Sequence, residues 1–216
     1  MSAGLETGRL TPEALHLLAL ALDYPGDDID GPCAVLRREF QAMIPNSPDA
    51  SDALDALDEF RAAVEPLRLE RLQEIYAATF DVNPACCLYP GYHLFGESYK
   101  RGAFMAKLNG EYRERGFEPG NDLPDHLPTL LRFLATLDDS ELRSWLVIQA
   151  IVPGLQTITA AFEGTENPYG SLVRAALLAL RPVGYVAPEE AGARSLPILR
   201  TGNEGSHQQS EHGTRV

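Results

Sequence analysis

Apolar residues recur along most of this chain at spacings of three and four, the period of a helix with one buried stripe. Leu15, Leu18, Ala19 and Leu22 make the first such stripe. Thr11-Pro12-Glu13 opens it with a capping hydroxyl, a proline suited to the first helical position and an acid at the positive helix end. Tyr24-Pro25-Gly26 stops it, and 27–32 is predicted to be a loop. A helix over 33–43 follows, then one capped by Ser51 with Leu54, Leu57, Phe60 and Val64 inward. Leu69, Leu72, Ile75, Tyr76 and Phe80 mark another, ending at Asp81-Val82-Asn83-Pro84. Leu127, Leu130, Leu131, Leu134 and Leu137 give the cleanest stripe of all. Beyond it, Asp138-Asp139-Ser140-Glu141 caps a long helix carrying Leu142, Trp145, Ile148, Val152, Leu155 and Phe162, which Pro153 should kink. A turn over 164–169 leads to a last helix over 171–181, with Val173, Leu177 and Leu180 inward. No segment alternates with period two long enough to be a strand. The pattern predicts an all-α, single-domain bundle of about eight helices over 1–185. Residues 186–216, without periodicity, are predicted to be a disordered tail.

The stretch 69–137 is where the pattern breaks in an informative way. Two irregular segments flank a long helix. Cys86-Cys87-Leu88-Tyr89-Pro90-Gly91-Tyr92-His93-Leu94-Phe95 is dense in aromatics and thiols, and 116–128 is rich in proline, glycine and acids. Within the second, Asp125 stands where a helix cap belongs, ahead of a proline tolerated in the first turn. Capping and ligand contact both fit Asp125-His126.

Charge narrows the function. With 31 acids against 18 Lys and Arg among 216 residues, the net charge is −13. Such a surface repels phosphate backbones and anionic lipid, which argues against nucleic acid and membrane surfaces and suits a basic peptide. Asp52, Asp55, Asp58 and Glu59 share a helix side, as a solvated face or as a landing strip for such a peptide. No run approaches the roughly 20 apolar residues of a membrane span. The run 14–22 is flanked by acids and reads as a mature helix rather than a signal-peptide core.

Catalysis finds little support. The three cysteines, two of them adjacent, make no disulfide framework and fit a reducing compartment. Cys86, Cys87 and His93 are irregularly spaced for structural zinc, and thiol catalysis needs a base within reach that adjacency cannot show. A thiol- or metal-binding protein using these three residues, and a helical adaptor with no client peptide, stand as alternatives.

The string Tyr76-Ala77-Ala78-Thr79-Phe80-Asp81, then Leu88-Tyr89, Tyr92, Leu94, Gly96 and Arg101-Gly102, then Leu123-Pro124-Asp125-His126-Leu127-Pro128, resembles the nitrate reductase delta-subunit (NarJ-like) chaperones within the TorD-like group of molybdoenzyme maturation chaperones. Val152-Pro153-Gly154-Leu155 and Asn167-Pro168-Tyr169 extend the likeness over roughly 11–181. The resemblance implies an all-helical cytoplasmic chaperone with no enzymatic activity and no cofactor of its own. Its partner would be the N-terminal segment or signal peptide of a molybdopterin oxidoreductase catalytic subunit, held back until the molybdenum cofactor and an iron–sulfur cluster are in place. Contact with molybdenum-cofactor delivery proteins is implied as well. Carried over, the peptide-binding residues are Tyr76, Phe80, Leu88, Tyr89, Tyr92, Phe95, Asp122, Asp125 and His126. Asn121-Asp122, where the family has acids, and the Cys86-Cys87 and Pro90-Gly91 pairs depart from the nitrate-reductase chaperones. They point to another enzyme of the superfamily, such as an exported one with a twin-arginine leader, as an alternative client.

Overall fold

The computed structural model describes residues 10–27, 29–138, 140–182 and 185. The expected tail and the Asp139 part of the expected cap lie outside them. Among the described residues every regular element is helical. In order they are α1 (Pro12–Ala21), α2 (Asp30–Met43), α3 (Ala50–Val64), α4 (Leu69–Tyr76), α5 (Pro90–Phe95), α6 (Tyr99–Glu114), α7 (Leu127–Ala135), α8 (Ser140–Leu146), α9 (Val152–Ala160) and α10 (Tyr169–Leu180). The eight expected helices all form, α8 and α9 being two halves of one, and α5 is added to them. No helix among the described residues is long and apolar enough to cross a membrane.

Helix starts follow local chemistry, with instructive exceptions. The Thr11 hydroxyl accepts from Ala14 N–H at 3.1 Å, as a cap should. The second helix begins at Asp30, three residues earlier than expected, because Pro32 falls in its first turn, where its missing donor costs nothing. Ser51 does not cap α3; the helix already includes Ala50, and no side chain caps it. Tyr169 opens α10 instead of ending the preceding turn, with its N–H bonded to the Asn167 side chain at 3.0 Å.

Two π turns decide how the faces line up. α4 continues through one over Ala77–Asp81, where Val82 N–H reaches Ala77 O, and another over Val147–Ile151 joins α8 to α9. The second sits immediately before Pro153. Pro153 cannot donate to the carbonyl of residue 149, and that carbonyl lies within the stretch where the ladder widens to i→i+5. Each π turn also slips the helical period. Of the expected stripe, Leu142, Val152, Leu155 and Phe162 are buried, joined by Leu146, Ala150, Ile151 and Ile158, while Trp145 and Ile148 are only half-buried.

The core is one continuous cluster. α1 packs between α7 and α2, α3 between α2 and α10, and α9 against α10 and α5. Tyr169 sits at an aromatic junction, its ring 5.5 Å from Phe60, 5.5 Å from Tyr76 and 5.1 Å from Phe80. α5 lies closely on α9. A methyl group at Gly154 would stand 2.6 Å from Pro90 Cβ and 2.8 Å from its Cα. That contact holds the aromatic stretch against the C-terminal half of the bundle.

Gly154→Ala therefore opposes two effects. In a free helix the change would stabilise by about 1 kcal/mol. Here the methyl would force α5 away from α9, at a cost of roughly 1–3 kcal/mol. Denaturant melts should show net destabilisation, and an unchanged or raised stability would disprove the close contact.

Candidate functional site

The two irregular segments of 69–137 meet. Leu127 N–H donates to Leu88 O at 2.8 Å, so the loop between α6 and α7 is tied to the aromatic segment by its backbone. Tyr112 of α6, wholly buried, donates its hydroxyl to Pro124 O at 2.7 Å and holds the loop from the other side. Expected to be irregular, residues 90–95 instead form α5, since Pro90 occupies a first helical position and Gly96, at φ 60°, ends it.

Asp125 is the centre. It is 0% exposed and does not cap α7, whose cap position is His126 with no side-chain bond. Its carboxylate takes a two-pronged contact from Arg101 of α6, Nε to Oδ2 at 2.8 Å and a terminal nitrogen to Oδ1 at 3.2 Å. The hydrogen bond to Asp125, outweighing burial, raises the Arg101 pKa further, so the guanidinium stays charged. Tyr89 and Tyr92 complete its surroundings, their ring centroids 5.4 and 5.6 Å from its central carbon. Gly91 makes room: a Cβ there would sit 2.4 Å from Asp125 Oδ2. Asp125 thus serves the tertiary structure.

His126 lies alongside, 7% exposed, its ring 5.2 Å from that of Tyr89. Its Nδ1 is 3.5 Å from Asp122 Oδ2 and completes no hydrogen bond. Burial lowers its pKa, against the opposing pull of Asp122 and Asp23. On the rim, Asp122 is exposed and Leu123 is 46% exposed, an unusual position for a leucine beside a buried cluster.

The structure divides the nine expected residues. Tyr89, Tyr92 and Asp125 surround Arg101, His126 lies against Tyr89 with Asp122 beyond it, and Phe95 is half-buried at the far end of α5 against Phe104. Tyr76, Phe80 and Leu88 are buried in the core. Tyr76 donates to Leu22 O at 3.2 Å and stacks edge-on with Phe80 at 4.9 Å. Arg101, Gly91 and Gly154 were not among the expected site residues. The signal for Arg101 was electrostatic: a carboxylate next to a leucine-rich helix start needs a cation.

The thiol chemistry is muted. Cys87 Sγ is 3.7 Å from His93 Nε2, but that nitrogen donates to Cys87 O at 2.7 Å and is unavailable as a base. Burial raises the Cys87 thiol and lowers the His93 imidazole, so the two rest as a neutral pair. Cys86 is buried against the Asn83 amide. Among the described residues no group of three or more His, Cys, Asp or Glu could hold a metal ion. Of the acidic face on α3, Asp58 pairs with Arg37 at 2.9 Å and Glu59 with Arg174, leaving Asp52 and Asp55 exposed.

Two outcomes follow. Asp125→Asn should cost roughly 3 kcal/mol, because it strands the Arg101 charge in a largely buried site; a loss of a few tenths would mean that the ion pair adds little to folding. Stability should also fall as pH drops below the ordinary histidine pKa. His126 and His93 have lowered pKa values in the fold, so the unfolded chain binds their protons first, and folding free energy is full above about pH 6.5 and declines toward pH 5. His126→Gln should flatten that decline in pH-resolved melts, and an unaltered slope would remove His126 from it.

The family model described as Nitrate reductase delta subunit matches residues 46–171, more than half of the chain and both loops of the site. A Bacillus subtilis (strain 168) protein named "Probable nitrate reductase molybdenum cofactor assembly chaperone NarJ" is 31% identical over 116 residues, 53% of this chain and 62% of that protein. The Escherichia coli (strain K12) nitrate reductase molybdenum cofactor assembly chaperone NarJ is 36% identical over 101 residues, 46% of this chain and 42% of that protein. The matches thus span less than two thirds of these relatives' length. The crystal structure of an Archaeoglobus fulgidus protein described as a "Putative Redox Enzyme Maturation Protein" superimposes with a TM-score of 0.51 at 20% identity, covering 77% of this chain and 91% of that one, which shows a shared fold. With the family match spanning the α6–α7 loop, the aromatic segment and the helices that hold them, this chain belongs to the nitrate reductase delta subunit family.

Proposed function

We propose that this protein is a cytoplasmic assembly chaperone, without catalytic activity of its own, for a molybdenum-cofactor oxidoreductase of the nitrate reductase kind. It binds the N-terminal segment of the catalytic subunit and keeps that subunit from assembly until the cofactor is inserted. The observation that carries the reading is the cluster around Arg101 inside the family-matching span. A buried ion pair sets two loops so that half-buried aromatics and an exposed acid and leucine lie together.

Such a rim suits an amphipathic segment that offers leucines and arginines. Tyr89, Tyr92, Phe95 and Asp122 make first contact, joined by Leu123. The unpartnered His126 Nδ1 accepts or donates one further bond. Asp125 is a positioning residue, acting through Arg101, while Tyr76, Phe80 and Leu88 stiffen the wall behind. Delivery proteins for the cofactor are expected at the same complex. The relatives' names support this assignment, and the neutral Cys87–His93 pair disfavours a thiol enzyme.

Tagged full-length chain, recovered from its native cells, should carry a molybdenum oxidoreductase catalytic subunit identifiable by mass spectrometry. A synthetic peptide of that subunit's N-terminal segment should then bind in calorimetry. Asp122→Asn combined with Leu123→Ser should weaken binding by about tenfold without altering the melt, since both side chains are exposed. Wild-type affinity in that variant, or captures that repeatedly lack any such subunit, would sink the assignment.

A further inference from the structure

A second surface lies outside the site just described. Two contiguous clefts run along the end of α1, the α1–α2 turn and the C-terminal end of α3, sharing Asp27 and Ile29. Their floor is apolar. Leu20 and Tyr24 are 55% and 53% exposed, among the most exposed large apolar residues described, and Ile29 and Leu67 are half-buried beside them.

The walls are acidic. Asp23, Asp27, Asp30, Asp58 and Glu65 line the clefts, with Arg61 the cation in the lining, while Asp23 and Asp58 are also paired from outside it by Arg132 and Arg37. Arg61 is already engaged, at 2.8 Å from Asp30 and 3.8 Å from Asp58. Asp27 and Glu65 have no ion-pair partner among the described residues. Exposed leucine and tyrosine between unpaired carboxylates call for an occupant with apolar residues flanked by arginines.

The chain contains such a segment. Arg194-Ser195-Leu196-Pro197-Ile198-Leu199-Arg200 brackets three aliphatic residues and a proline with two arginines, in a protein with few basic residues. Reach permits the contact. The end of α10 is held at the start of α3 by the Arg181–Asp49 ion pair, at 2.7 Å, and α10 packs along α3 with Arg174 on Glu59. From Asp49 to the cleft at Asp58–Ala62 is about 14–20 Å of helix. The nine residues from Tyr185 to Arg194 span up to about 30 Å when extended.

We propose that residues 194–200 dock in cis into the acidic cleft between the end of α1, the α1–α2 turn and α3, covering its exposed leucine and tyrosine. Arg194 and Arg200 meet Asp27 and Glu65, and Leu196, Ile198 and Leu199 lie on Leu20, Tyr24 and Ile29. This docking requires no client, so it stands or falls apart from the chaperone assignment.

Full-length protein with a photo-reactive phenylalanine analogue in place of Leu199 tests it. Irradiation should join position 199 to residues within 20–32 and 58–67, located by mass spectrometry. A mixture of isotope-labelled and unlabelled chains should give cross-links within single chains only. Arg194→Glu with Arg200→Glu, or Asp27→Lys with Glu65→Lys, should each cut the yield about fivefold, and high salt should do the same. Asp27 and Glu65 are exposed, and a thermal melt verifies that each variant is folded. Cross-links scattered over other surfaces, cross-links between labelled and unlabelled chains, or a yield indifferent to charge reversal would each overturn the proposal.

Discussion

The arrangement of this molecule depends on one buried charge. Asp125 has no exposure, and a bare carboxylate there would be costly enough to reorganise the loop around it. Arg101 removes that cost only with α6 and the α6–α7 loop in one register, since a two-pronged contact tolerates little displacement. The same contact requires a glycine at 91, because any side chain would collide with the carboxylate. Pro90, beside it, is pressed against Gly154 of α9. An ion pair, two glycines and a proline therefore connect α5, α6, the α6–α7 loop and α9, and the aromatic segment has one place to go.

Around that junction the aromatics divide their labour. Tyr76, Phe80 and Tyr169 sit edge to face in the core and join α4 to α10. Tyr89 and Tyr92 are half-buried and border the Arg101 guanidinium, a contact that suits rings with one face packed and one edge wet. The π turns contribute to this sorting. By slipping the helical period within a continuous helix, they bury residues that a strict 3.6 repeat would leave at the margin.

Acidity has a comparable division. Some carboxylates of the excess are structural, as in Asp125–Arg101, Asp49–Arg181 and Asp23–Arg132. Others, such as Asp27, Glu65 and Asp122, stand at exposed apolar residues without a full partner, and solvent screens the negative field they add to a net charge of −13.

The sequence by itself determined the helices, because each needs only local information: an apolar stripe at 3.6 spacing, a capping threonine at 11, a stop at Tyr24-Pro25-Gly26. It also marked the two loops that form the candidate site, through their proline, glycine and aromatic content, and Leu123-Pro124-Asp125-His126-Leu127-Pro128 carried the family likeness. Tertiary structure decided the rest. Asp125 read locally as a cap or a ligand contact, and it is an ion-pair partner only because Arg101, 24 positions away, is brought to it. Tyr76, Phe80 and Leu88 had the composition of a groove, yet burial is a property of neighbours that arrive from α1, α7 and α10. Residues 90–95 looked irregular because proline and glycine break helices in isolation; contact with α9 and Asp125 makes that pair the one that fits. What depended on spacing along the chain was legible, and what depended on distances across the core was not, since no local pattern records which charge or surface will fold against it.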